Sequence, residues 1–211
     1  MSKAFVYRAL LTITIALAAV AISCAHKTDE GGEVRRDLPM QMLRDGDLVF
    51  RCGTSTESET ILKIDSTGQY THVGIVININ GKWHVIHAVP GESHDGIDVV
   101  KTEPIDTFFL TTRAIHGKAM RLSGCNAQKA HMAAIRAHEL SKHRVPFDHF
   151  YNWNDTTRLY CTELMQRAYA TAGIDLCGDR STHIVFPGFK GDVVLPGDLM
   201  RNDSLKTLFS F

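Results

Sequence analysis

Apolar and polar positions along the chain predict a short series of elements. The clearest β pattern is His72-Val73-Gly74-Ile75-Val76-Ile77-Asn78-Ile79, then Asn80-Gly81, then Lys82-Trp83-His84-Val85-Ile86-His87-Ala88-Val89. Asn-Gly between two runs rich in β-branched residues predicts a hairpin, because the tight turn that joins twisted strands needs positive φ at both positions. Asp45-Gly46-Asp47 predicts a turn, with a short strand at Leu48-Val49-Phe50 after it. Residues 57–64 have helical spacing through Ile61, Leu62 and Ile64. Further short strands are expected at 97–100 and 119–122, with a helical turn opened by Pro104 between them. Asn126 to Lys142 reads as a helix: Asn126 caps it, Ala127, Ala130, Ala134, Ala137 and Leu140 recur at helical spacing, and Pro146 lies beyond its end. A second helix is expected from about Thr157 to Ala172, capped by Asp155 or Thr156 and stopped by Gly173. The tail holds Pro187-Gly188, Pro196-Gly197 and a last helical stretch near Leu205. Strands and helices mix without a βαβ rhythm, so the predicted class is α+β.

The start of the chain has a different pattern. Lys3 and Arg8 precede the uncharged run Ala9 to Ile22, which ends at Ala21-Ile22-Ser23-Cys24. A basic start, a short apolar stretch and a small residue before a cut describe a secretory signal. The run is about 21 Å long as a helix, short of a ~30 Å hydrocarbon core. A cysteine directly after the small residue resembles a bacterial lipobox, although Ala21 stands where Leu is commonest. Residues 1–23 are therefore expected to be a lipoprotein signal and Cys24 the lipidation site. Residues 24–39, polar and containing Gly31-Gly32, are expected to tether a domain spanning 40–211 to the membrane, on an extracytoplasmic face.

Composition narrows the function. The chain has 211 residues, 23 Lys+Arg and 23 Asp+Glu; losing residues 1–23 removes two bases and no acid, leaving a net charge of −2. That balance argues against nucleic acid as a partner. Five cysteines are too few for a disulfide scaffold of this length.

Cys161 lies near the start of the second predicted helix, where unpaired N–H groups and the helix dipole favour thiolate and can hold an oxyanion. On position alone a buried structural cysteine is the better-favoured reading, because cysteine is among the most buried residue types. The hairpin adds chemistry. With a two-residue turn, paired positions sum to 161, so Gly74 faces His87 and Val89 faces His72. His72 and His87 become diagonal neighbours on one sheet face, within reach of each other, and Gly74 leaves room beside them. His84 faces the other side. One imidazole can then take a thiol proton while the other fixes its tautomer, as in acyl-transfer sites. Two satisfied core histidines remain the bland alternative.

Other groupings are weaker. His84 and His87 project to opposite faces and make a poor metal pair. His131 and His138 share a helix with no acidic partner at metalloprotease spacing. Cys52, Cys125 and Cys177 form no CxxC. No metal or organic cofactor is implied.

Thr71-His72-Val73-Gly74-Ile75-Val76, Val85-Ile86-His87-Ala88 and Leu159-Tyr160-Cys161-Thr162-Glu163-Leu164, in that order, resemble the permuted NlpC-type papain-like hydrolases, specifically their YaeF/YiiX branch. Arg44-Asp45-Gly46-Asp47-Leu48-Val49-Phe50 and Val145-Pro146-Phe147-Asp148 are similar to other family segments. The histidine strand precedes the cysteine helix by 89 residues, the permuted order. The resemblance implies a circularly permuted papain-like fold, an antiparallel sheet packed against helices. It implies Cys161 as nucleophile, His72 as general base and acid, and His87 in a third polar position that is often Glu in this branch. Tyr160 would line the substrate site, and Phe147 stands where Tyr is common. The expected reaction is hydrolysis of an amide through a thioester, on cell-envelope or peptidoglycan-derived peptides. Acyl transfer or thioester chemistry on lipids, and an inactive ligand-binding lipoprotein, are the other readings.

Overall fold

A computed structural model of the chain describes residues 34–211 apart from 66, 94, 187 and 188. The expected signal, Cys24 and most of the expected tether lie outside these residues. The last residues of that expected segment pack on the rest of the described chain: Leu38 is buried, and Arg36 Nη2 donates to the Ala114 carbonyl at 2.7 Å.

The elements in chain order are β1 (Leu48–Arg51), α1 (Thr56–Ile64), β2 (His72–Ile79), β3 (Lys82–Ala88), β4 (Val100–Pro104), α2 (Ile105–Phe108), β5 (Gly117–Leu122), α3 (Ala127–Lys142), α4 (Cys161–Ala170), β6 (Thr182–Phe186), β7 (Phe189–Val193), α5 (Pro196–Met200) and β8 (Leu205–Ser210). Six strands form one antiparallel sheet in the order β4-β3-β2-β1-β5-β8, and β6 and β7 form a separate hairpin. The α+β class is as the pattern of strands and helices predicts, and the antiparallel sheet packed on helices is as the resemblance implies.

Alternation along the strands divides the core in two. Leu48, Phe50, Val73, Ile75, Ile77 and Ile86 pack with Ala133, Ala134 and Ala137 of α3 and Leu164, Met165 and Ala168 of α4. Val49, Val76, Val85 and Ala119 face the other way, onto Ile105, Phe108 and Phe109. Burying an aliphatic side chain is worth about 1.5–3 kcal/mol, so these two faces fix the register of β1–β3, where slipping by one residue would exchange them.

The β2–β3 register is the predicted one. Ile75 pairs with Ile86, Val76 with Val85 and Ile77 with His84, and the turn holds Asn80 at φ 53° and Gly81 at φ 80°. Asn126 caps α3 by accepting from the Lys129 N–H at 2.8 Å.

Three expectations are corrected. First, α4 begins at Cys161 rather than near Thr157. Asp155 Oδ1 accepts from the backbone and hydroxyl of Thr157, closing a local turn instead of capping a helix. Leu159 is then held extended, its N–H donating to the Pro146 carbonyl at 3.0 Å. Second, the strand expected at 97–100 runs from Val100, because Asp98 is spent holding the preceding turn through the Gly91 N–H. Third, the stretch at Leu205 is the edge strand β8, paired to β5, and the helical turn there is the earlier α5. The β6–β7 hairpin was not predicted.

Candidate active site

Cys161 is the first residue of α4, and Tyr160 before it offers no side-chain cap to the exposed N–H groups. The Thr162 and Cys161 backbone N–H groups therefore remain free to face the sulfur, joined by the N–H of Val73 from the start of β2. These are the donors expected of an oxyanion or thiolate cradle. They do not win the balance for the resting thiol: burial pushes Cys161 up to about 11, against the pull of those N–H groups and of Arg51. The expected lowering by the helix terminus is corrected accordingly. Desolvating a thiolate costs more here than three N–H contacts return.

His72 and Cys161 line one cleft of about 240 Å³, together with Arg51, Phe147, Tyr151 and Glu92. His87 does not reach its wall. It lies fully buried behind His72, with His72 Nε2 and His87 Nδ1 2.8 Å apart. The diagonal pairing read from the hairpin thus brings the two imidazoles into contact. Phe108 covers both rings, at centroid distances of 5.7 and 5.2 Å. The open space expected over Gly74 is filled: a Cβ there would lie 2.4 Å from Val85 Cγ1 and 3.2 Å from His87 Cβ. Gly74 serves close packing, not access.

Glu103 on β4 was missed. Its Oε1 lies 3.0 Å from His87 Nε2, a close polar contact without the alignment of a full hydrogen bond. Glu103 pairs with Val85, so it is diagonal to His87 on the same face, the relation that joins His72 to His87. The long connection between β3 and β4 hides that register from the sequence. Arg113 and Lys101 approach Glu103 Oε2 at 3.1 and 3.6 Å, and both also approach Glu92. Arg51, almost wholly buried, pairs with Glu92, donates to the Phe108 carbonyl at 2.9 Å and lies over the Phe108 ring.

Burial, then the positive charge of Arg51, push His72 well below the usual imidazole range. Burial also lowers His87, opposed by Glu103. Burial alone would raise Glu103, but His87, Lys101 and Arg113 hold it down at about 2. Both histidines are therefore neutral at neutral pH and Glu103 is ionised.

Tyr160 does not line the cleft, which corrects the expectation. It is buried in the core, with its hydroxyl accepting from the Val194 N–H at 3.4 Å. Tyr151 takes that place on the wall, packed edge-on against Tyr160 and Phe147. It sits at φ 51°, a left-handed backbone held by Asp148, whose carboxylate accepts from the Phe150 and Asn152 N–H groups on either side. Turn residues carry no periodicity, so the sequence gives no sign of this ring. A second recess of about 160 Å³, lined by Ile61, Ile64, Ile184, Phe189, Val193 and Leu195, adjoins the cleft through Glu57, Ile61 and Tyr151.

Among solved structures, the chain is similar to that of the metalloprotein yiiX from Escherichia coli O157:H7, with a TM-score of 0.65 and 19% identity, over 81% of this chain and 98% of that one. No curated protein matches it. The family model of permuted papain-like amidase enzymes, YaeF/YiiX, C92, matches residues 42–209, most of the chain, in agreement with the permuted order of histidine strand and cysteine helix. The chain belongs to this permuted papain-like amidase family.

Proposed function

We propose that the protein is a cysteine amidase in which Cys161 is the nucleophile, His72 the general base and acid, and His87 the group that orients His72. The observation that carries this reading is one cleft holding Cys161 at a helix start and His72 at a strand start, with His87 in contact behind His72. In the first step the Cys161 sulfur bonds to the amide carbonyl carbon while His72 takes the thiol proton. The C–N bond then breaks and His72 passes that proton to the leaving amine. Water adds to the thioester with His72 as base, and the acid leaves as the thiol reforms. The N–H groups of Val73, Thr162 and Cys161 face the charge that develops.

The substrate proposed first is a peptide amide of the cell envelope, met by a domain tethered through Cys24 on the extracytoplasmic side. The charged wall formed by Arg51, Glu92 and Arg113 suits a peptide's polar groups. One observation favours a second reading, an acyl-chain amide or ester: the apolar recess next to the cleft can take an aliphatic chain. The yiiX protein is described as a metalloprotein. Among the described residues of this chain no three His, Cys, Asp or Glu side chains converge to hold a metal, and no step is routed through one.

The test is hydrolysis of peptidyl and fatty-acyl p-nitroanilides by the purified chain and by Cys161→Ala. Cys161→Ala should abolish turnover, and iodoacetamide should alkylate Cys161 ever faster as pH rises toward about 11. Turnover that survives Cys161→Ala would refute the nucleophile. A rate that grows with acyl length would move the substrate from peptide to lipid.

A further inference from the structure

We propose that Glu103 is a positioning residue that sets the tautomers of both histidines, leaving the Nδ1 lone pair of His72 available as the base. The proposal rests on the reading of His72 as that base. It follows from the contacts in sequence. Glu103 Oε1 is the polar atom that faces His87 Nε2, 3.0 Å away; the contact is not aligned as a full hydrogen bond, but a carboxylate oxygen there favours the proton of neutral His87 on Nε2. His87 Nδ1 is then a bare acceptor. It faces His72 Nε2 at 2.8 Å, and that contact requires the proton on His72 Nε2. The remaining nitrogen of His72, Nδ1, is left without a proton. A carboxylate thus reaches across His87 and performs the orienting role that a direct third-position acid plays in other nucleophile–histidine sites.

The surroundings support a fixed direction for this relay. Glu103 comes from β4 and sits between His87 and two cations. Its Oε1 faces the imidazole, and its Oε2 faces Arg113 Nη1 at 3.1 Å and Lys101 Nζ at 3.6 Å. The contact with His87, and then those cations, keep the carboxyl ionised against its burial, so it can only accept. From β1, Arg51 adds positive charge near both rings, and Glu92 pairs with Arg51, Lys101 and Arg113 from the β3–β4 connection. Phe108 of α2 closes the apolar side of both rings. Glu103 does not line the cleft that holds Cys161; it lines an adjoining recess with Glu92, Lys101 and Arg113.

The same geometry says what a neutral substitute does. In Glu103→Gln only one oxygen remains, and Arg113 and Lys101 claim it. The amide NH2 then points at His87 Nε2, which must become an acceptor. The proton moves to His87 Nδ1, His72 Nε2 loses its own, and His72 Nδ1 carries the proton where the thiol needs a base. A wrong tautomer in a nucleophile–histidine site costs on the order of 10⁴-fold in turnover, and loss of at least about a hundredfold is expected here.

The experiment uses the full chain labelled with imidazole ¹⁵N histidine, read by long-range ¹H–¹⁵N correlation, beside p-nitroanilide hydrolysis. In the wild type, His87 and His72 should both show the Nε2–H pattern. Glu103→Gln should switch His87 to Nδ1–H and lower turnover by at least about a hundredfold. A wild-type His87 carrying its proton on Nδ1 would overturn the proposal even if the variant does not fold. So would a folded Glu103→Gln chain that keeps both tautomers and full turnover. Cys161→Ala separates the two levels: if it stays active the nucleophile reading fails, whereas a dead Cys161→Ala with His87 protonated on Nδ1 leaves that reading standing and removes Glu103 from it.

Discussion

Gly74→Ala is the substitution in which packing and chemistry are most tightly linked. The added Cβ would lie 2.4 Å from Val85 Cγ1, 3.0 Å from the Ile86 carbonyl oxygen and 3.2 Å from His87 Cβ. Carbon pairs settle at roughly 3.5–4.0 Å, so the first contact must open by about 1 Å and the third by a few tenths. Val85 has little freedom to retreat. It is fully buried among Val49, Val76 and Ala119, and its β-branched side chain has one strongly preferred rotamer in many settings. The backbone is also held, because β2 is paired on both sides, to β1 and β3. Overpacking of this kind costs about 1–3 kcal/mol. Stiffening the unfolded chain by replacing Gly returns about 0.4–1 kcal/mol. A net loss of about 1–2 kcal/mol is expected in urea denaturation, or about 2–4 °C in Tm per kcal/mol for a domain of this size. Val85→Ala alone leaves a cavity and costs about 2 kcal/mol. The double variant should lose at least about 1 kcal/mol less than the sum, because the 2.4 Å clash is gone. Turnover should not recover equally, since the 3.2 Å contact still displaces His87 from His72. Additive stability losses within about 0.3 kcal/mol, or a Gly74→Ala chain as stable as wild type, would refute this account of the packing.

Two further outcomes follow from buried carboxylates. Burial raises Glu163, next to the site on α4, to about 7, against the opposing pull of Arg167. Its folded pKa lies above its unfolded one, so its stabilising effect is complete below about pH 4.5 and is lost as pH rises through about 7. Urea denaturation at pH 5 and pH 8 should show a smaller decline for Glu163→Gln than for wild type, and an identical decline would exclude this group as its source. Asp148→Ala removes the acceptor for the Phe150 and Asn152 N–H groups and should cost about 2–3 kcal/mol while freeing Tyr151. An unchanged denaturation midpoint would show that the loop around Tyr151 is held by something else.

Legibility in the sequence tracks the range of the interaction. The β2–β3 register was readable because Asn80-Gly81 forces a two-residue turn, and counting from it places His72 beside His87. The same diagonal rule applies to Glu103, but β4 returns after a long connection and no local signal fixes its register. Cys161 was readable as a helix-start cysteine, although the helix starts four residues later than the spacing suggests. What delays it is a contact between Leu159 and Pro146, which the sequence does not display. Tyr160 and Tyr151 exchange roles for the same reason: which ring faces the cleft depends on a turn set by Asp148. The β6–β7 strands contain Lys190-Gly191-Asp192 and exposed Val185, so their alternation is weak, and β8 lies at a sheet edge with mixed polarity.

The largest departure from sequence reasoning concerns charge. A helix start favours thiolate in isolation, yet burial pushes the Cys161 thiol up and the His72 imidazole down. In the proposed reaction the resting pair is thus a neutral thiol and a neutral base, and proton transfer between them is uphill until charge develops on a bound substrate. That assigns the work differently from a preformed thiolate–imidazolium pair. On that reading the N–H groups of Val73, Thr162 and Cys161 act on the charge that appears during attack, and the ionised Glu103, two contacts behind His72, stabilises the imidazolium that forms with it. Slow alkylation of Cys161 at neutral pH is therefore compatible with rapid turnover. A site built this way confines its reactive state to the moment when a carbonyl occupies the cleft.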